Sequence, residues 1–158
     1  MKKQNDSGQA LVEVAISLSV FLLLAMGVVD FAFMFSHKLT LQNAVRQAGR
    51  YAITGQCITG SNGTCSLSRY NSILNNLETA SDGYINAGNV SSVVTITCTN
   101  EGGGCPDPAG GPKDIVTIKV AYPYNFITPL IAPFFHNQPL TINVSSSFTN
   151  EQFPPGQS

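Results

Sequence analysis

The sequence predicts an α+β protein: a long N-terminal transmembrane helix that extends into a small domain with a second helix and a roughly three-stranded antiparallel sheet. Three observations predict it. An apolar run from Ala10 to Phe35 is interrupted by only two charges, Glu13 and Asp30. Apolar residues then recur at three- and four-residue spacing over Leu41–Ala52 and again over Leu67–Leu77, the period of a helix with one covered face. Further on the period changes to alternation, with Val94, Ile96 and Cys98, then Val116, Ile118, Val120 and Tyr122, then Ile142, Val144 and Phe148, as strands with one buried face require.

The apolar run holds about 26 residues, roughly 39 Å of helix, which is enough to cross a hydrocarbon layer of about 30 Å. Lys2 and Lys3 precede it, and by the positive-inside tendency they keep the amino terminus cytoplasmic, although Lys38, Arg46 and Arg50 follow on the other side. A secretory signal peptide fits poorly: its apolar core is usually only about 7–15 residues long, and here Glu13 interrupts the run and no small-x-small cleavage site ends it. The stripe Leu41, Ala44, Val45, Ala48, Tyr51 and Ala52 extends the same helix, giving one rod from about Gln9 to Ile53 that stops at Gly55. Asp30, near the outer edge of the span, reads as a solvated interfacial carboxylate or as a partner for Lys38 or a neighbouring chain.

After that helix, Leu67, Tyr70, Ile73, Leu74 and Leu77 mark the second one, with Ser66 placed to cap it and an end before Gly83. The three strands follow. A Gly- and Pro-rich loop from Asn100 to Asp114 joins the first two. Between the last two, prolines punctuate Phe126, Ile127, Leu130, Ile131, Phe134 and Phe135. That apolar loop either folds under the sheet as core or presents a contact surface to another subunit. The stripe from Leu41 to Ala52 and the second helix are the available covers for the sheet, which makes a layered α+β arrangement.

The cysteines Cys57, Cys65, Cys98 and Cys105 all lie beyond the apolar run, in two close pairs. On the far side of a membrane anchor they are expected to oxidise, and their even number and short spacing favour disulfides. Three pairings are open. The local one, Cys57 with Cys65 and Cys98 with Cys105, closes two small loops. Zinc is the competing reading, but its ligands are usually spaced more tightly and no histidine is close in sequence.

With a net charge of −1 and eight scattered Lys and Arg residues, the chain offers no stripe to neutralise a run of phosphates, so no nucleic acid is expected as a partner. No G-x-S-x-G, H-E-x-x-H or P-loop occurs, and His37 and His136 have no evident acid or nucleophile beside them in sequence. Both read as surface histidines. The N-x-[ST] triplets at Asn62, Asn89 and Asn143 are cheap to produce in a Ser- and Thr-rich chain. No enzymatic activity, cofactor or metal is expected.

Glu13 is the residue to explain, because an ionised carboxylate within hydrocarbon costs about 2.5–3.5 kcal/mol on insertion scales. The helix dipole and the headgroup region offer it one bland stabilisation. A more specific reading comes from its distance to Gly8. The leader Met1–Gly8 followed by Gln9-Ala10-Leu11-Val12-Glu13 resembles a class III, type IV pilin-like signal, which a membrane aspartic (prepilin) peptidase cuts after glycine. The wider stretch, through GQALVE, Gly27–Phe31 and AVRQAGRYA, resembles the TadE-like family, pilin-related proteins of tight-adherence (Flp-type) pilus systems. IVTIKVAYPY, Thr128–Leu130 and LTINVSSSF resemble it more loosely.

The resemblance implies a leader at 1–8 with processing at Gly8 and Gln9, a long helix at 9–54 that spans the membrane at about 10–35, and an exported α+β domain at 55–158. It implies a minor pilin or pseudopilin of the bacterial inner membrane, single-pass, with its C-terminal domain periplasmic and a place in surface pili. Its partners would be other pilin or pseudopilin subunits, the prepilin peptidase, an inner-membrane assembly platform and membrane lipid, with Glu13 as the assembly residue. Val14 after Glu13 and Ser145-Ser146-Ser147 near the end depart from the family pattern, and the alternative is an uncleaved membrane-anchored periplasmic adaptor of a secretion or pilus machine.

Overall fold

The computed structural model describes residues 6–60, 65–128 and 138–153. The first element, α1, runs from Asp6 to Ile53 in 48 residues. From Gly8 onward it is the one helix among the described residues that is long and apolar enough to cross a membrane, with none of its most apolar window buried by protein. An apolar surface of that kind needs a non-aqueous covering. The helix stops as the sequence predicts: Gly55 takes a φ of +68° and its N–H donates to the Ala52 carbonyl at 3.2 Å. A side chain there would also meet Phe153, because a Cβ would lie 2.3 Å from its ring.

The chain divides into two compact units, Met1–Ser36 with Tyr124–Leu140, and His37–Pro123 with Thr141–Ser158. The second contains the hydrophobic core. Leu41, Ala44, Val45, Ala48 and Ala52 of α1 are buried there, together with Ile73 and Leu77 of α2 (Arg69–Ala80). The cap of α2 is Ser68, whose hydroxyl accepts from the Asn71 N–H at 3.3 Å. Ser66, the expected cap, instead donates to the Ile58 carbonyl and helps close the first disulfide loop. A one-turn helix, α3 (Val90–Val93), precedes the sheet.

The sheet is antiparallel, with strands β1 (Val94–Asn100), β2 (Gly103–Gly104), β3 (Ile115–Tyr124) and β4 (Leu140–Thr149) in the order β2-β1-β3-β4. The three expected strands are present, and β2 adds a two-residue fourth. Register follows burial. Val94 pairs with Val120, Ile96 with Ile118 and Cys98 with Val116, so the six inward positions of β1 and β3 face the core together and a slip by one residue would turn them all outward. From β4, Ile142 and Val144 are buried on the same core. Phe148 of β4 lies over Gly49 of α1 so closely that a Cβ on the glycine would sit 2.1 Å from the ring.

Two disulfides join Cys57 to Cys65 and Cys98 to Cys105, with Cα–Cα separations of 5.6 and 5.4 Å. This is the local pairing among the three that the sequence left open. Arg69 ties together several loops of the same unit. Its guanidinium donates to the carbonyls of Ala52 and Ala109, each at 3.3 Å, and of Gly110, and stacks on the Phe153 ring at 4.1 Å. Burial lowers its pKa and Asp107 acts in the opposite direction, yet guanidinium stays protonated at any ordinary pH.

A candidate assembly face on the long helix

The functional residues expected from the sequence lie on the first two turns of α1. Gly8, Gln9 and Glu13 are all exposed, and Glu13 shares a shallow apolar surface with Val14, Ser17, Leu18 and Phe21. From Ala10 onward each helical N–H has a carbonyl of the same helix four residues back. Even the Ser19 hydroxyl is satisfied internally, donating to the Ala15 carbonyl at 2.8 Å. Glu13 is thus a carboxylate on an apolar exterior, a placement that is costly in lipid and useful at a helix–helix contact.

Asp30 is different, and the sequence did not place it. It is only 2% exposed. Ile127 N–H donates to Oδ1 at 2.9 Å and Thr128 N–H to Oδ2 at 3.2 Å, while the Thr128 hydroxyl donates to the same Oδ2. The Tyr124 hydroxyl completes the arrangement by donating to the Asp30 backbone carbonyl at 3.2 Å. Burial raises the Tyr124 pKa and the Asp30 charge adds to that, which keeps the phenol a donor. The expected solvated carboxylate, or Lys38 partner, is therefore a buried acceptor for the polypeptide that leaves β3. The physical reason is that a carboxylate with three charge-assisted donors is well satisfied without water.

His37, expected at the surface, is half-buried. Its ring lies 4.2 Å from that of Tyr84 and 6.4 Å from that of Tyr122, and burial lowers its pKa below the ordinary value. His136 and residues Pro129 to Phe135 of the apolar loop lie outside the described residues.

Among the described residues, one cluster has the residue types of a metal site. Cys98, Cys105 and Asp114 come close together, but both sulfurs are spent in one disulfide, and metals bind thiolate. An open cleft of about 330 Å³ beside α1 and β4 is lined by Lys38, Gln42, Val45, Arg46 and residues 143–146, with no histidine or carboxylate to act as a base.

Among the described residues, one long apolar helix leads into a disulfide-bonded α+β unit, and it is an N-terminal candidate membrane anchor. Over residues 8–50 the chain is similar to the family described as TadE-like protein, the family that its sequence resembles. No curated protein and no solved structure matches it.

Proposed function

We propose that this chain is a non-enzymatic minor pilin or pseudopilin that supports assembly of a tight-adherence pilus. The observation that carries the reading is a division of labour between the two carboxylates of the apolar run. Asp30 is engaged by its own chain, whereas Glu13 stands exposed five residues beyond Gly8. Cleavage after Gly8 by a prepilin peptidase releases a positive amine on Gln9. When helices stack in parallel, Glu13 of one subunit neutralises that amine on the next. In water two such charges 4 Å apart attract by about 1 kcal/mol, but at the effective dielectric near a protein surface the figure is about 4 kcal/mol. An unpaired buried carboxylate is penalised as well, so the pair enforces register in addition to attraction.

In this reading the amino terminus faces the cytoplasm and the disulfide-bonded unit lies in the periplasm, where its cysteines oxidise. Glu13→Ala should leave the protein in the membrane fraction and abolish pili counted by electron microscopy; a normal pilus count would refute the assembly role. Mass spectrometry of the mature protein should give Gln9 as its first residue. An intact Met1 would favour the uncleaved periplasmic adaptor instead.

A further inference from the structure

The segment that Asp30 holds runs from Tyr124, the last residue of β3, through the irregular backbone of Asn125 to Thr128 on the flank of an apolar helix. Its depth can be worked out. From Ala10 to Asp30 the helix advances about 30 Å, one hydrocarbon thickness. Asp30 therefore sits where α1 leaves the apolar layer, and whatever is fastened to it is held at that level.

Irregular backbone is tolerated at such a depth only where protein satisfies its polar groups. Asp30 meets that condition, since it accepts both consecutive N–H groups of Ile127 and Thr128 and the Thr128 hydroxyl as well. The side chains suit the same place. Tyr124 and Phe126 stack edge to face with centroids 5.8 Å apart, aromatic residues of the kind enriched at membrane boundaries. Ile127 is 57% exposed, so its apolar side chain points away from the protein at a level where water is giving way to acyl chains. Val28, Val29 and Phe31 of α1 are exposed close by in sequence to Asp30.

We infer that Tyr124–Thr128 is a second membrane-contact element, a lipid-facing wedge at the boundary where α1 leaves the bilayer, with Asp30 as the socket that makes its backbone compatible with lipid. The inference rests on α1 spanning the membrane. In a buried-core role Ile127 would be covered by protein, and in a simple periplasmic loop Asp30 would have no reason to shed its water. With the wedge in place, the point at which the helix leaves the membrane is fixed by two apolar elements.

The chain contains no tryptophan, so a single one reports its own surroundings. Full-length protein carrying Ile127→Trp, reconstituted in phosphatidylcholine vesicles, should emit to the blue of a water-exposed indole. Lipid brominated near the headgroup end of the acyl chain should quench it strongly, and aqueous iodide weakly. Leu22→Trp, in the middle of the apolar run, serves as the reference for the anchor. If the tryptophan at 22 is not quenched by lipid brominated near the methyl end of the acyl chain, the anchor reading itself fails.

If the tryptophan at 22 is quenched in that way but lipid brominated near the headgroup end does not quench the one at 127, the wedge alone is overturned. Iodide quenching at 127 would then mean a solvated loop, and shielding from both quenchers a cover of protein, such as a second copy of the chain. Adding Asp30→Ala to Ile127→Trp removes the acceptor for both N–H groups and should shift the emission to the red and restore iodide quenching. Asp30→Asn, which keeps one acceptor oxygen, should give a smaller shift. Unchanged spectra in both variants would overturn the role of Asp30.

Discussion

Gly49 provides a prediction in which two known effects oppose each other and the geometry decides. Replacing an interior helical glycine with alanine ordinarily stabilises by about 1 kcal/mol, because glycine surrenders more backbone entropy. Here a new Cβ would lie 2.1, 2.2 and 2.6 Å from three ring atoms of Phe148, whereas non-bonded carbons rest about 3.5–4.0 Å apart. The ring would have to move by more than an ångström. Overpacking usually costs about 1–3 kcal/mol, and three ring atoms all closer than 3 Å argue for the upper half of that range. Gly49→Ala should therefore destabilise by about 1 kcal/mol net, which for a domain near 100 residues lowers the Tm by about 4–8 °C. Thermal unfolding of the purified full-length protein in detergent, followed by near-ultraviolet circular dichroism, measures it. The double-mutant cycle with Phe148→Leu separates the two effects. With the ring gone, the Gly49→Ala change should become neutral or stabilising. A higher Tm for the single variant, or the same shift in both backgrounds, would refute the close-approach argument.

Two further outcomes follow from the same unit. Burial lowers the His37 pKa below its ordinary value of 6.5, so the unfolded chain binds the proton more readily than the folded one. Stability from this group is therefore fully present above about pH 6.5 and falls as the pH drops through that value towards the lowered folded pKa. His37→Phe, which keeps a ring against Tyr84, should flatten the wild-type decrease in Tm between pH 7 and pH 5; an unchanged slope would exclude His37 as its source. The Cys98–Cys105 bond closes a short loop and should stabilise by about 2–3 kcal/mol in the chain-entropy model. The double variant Cys98→Ser, Cys105→Ser should lower the Tm accordingly, and non-reducing peptide mapping of the native protein should recover Cys98 linked to Cys105 and Cys57 to Cys65. A crossed pair of peptides would contradict the fold of both loops.

The elements were legible because their signals are local. A stripe such as Leu41, Ala44, Val45 and Ala48 states its period and its buried face at once, and the structure buries those four residues. Alternation in Val94, Ile96 and Cys98 did the same for β1, and its register with β3 follows from pairing buried position with buried position. Details that depend on competition between near neighbours were less legible. Ser66 and Ser68 are both reasonable caps, and only the path of the chain after the first disulfide loop selects Ser68. The two-residue β2 carries no pattern at all, since it consists of Gly103 and Gly104.

By itself the sequence determined the apolar rod, the stop at Gly55, the helix and strand periods, and a carboxylate set five residues beyond a glycine, because each of these is written in side-chain identity at short spacing. Tertiary structure alone decided the fate of Asp30. Its partners lie nearly a hundred residues away, and two of the three donors are backbone N–H groups, which every residue but proline possesses. No choice of amino acid advertises such a bond in advance. It exists because the chain leaving β3 returns to the flank of α1, where it gives the charge a dry place to rest.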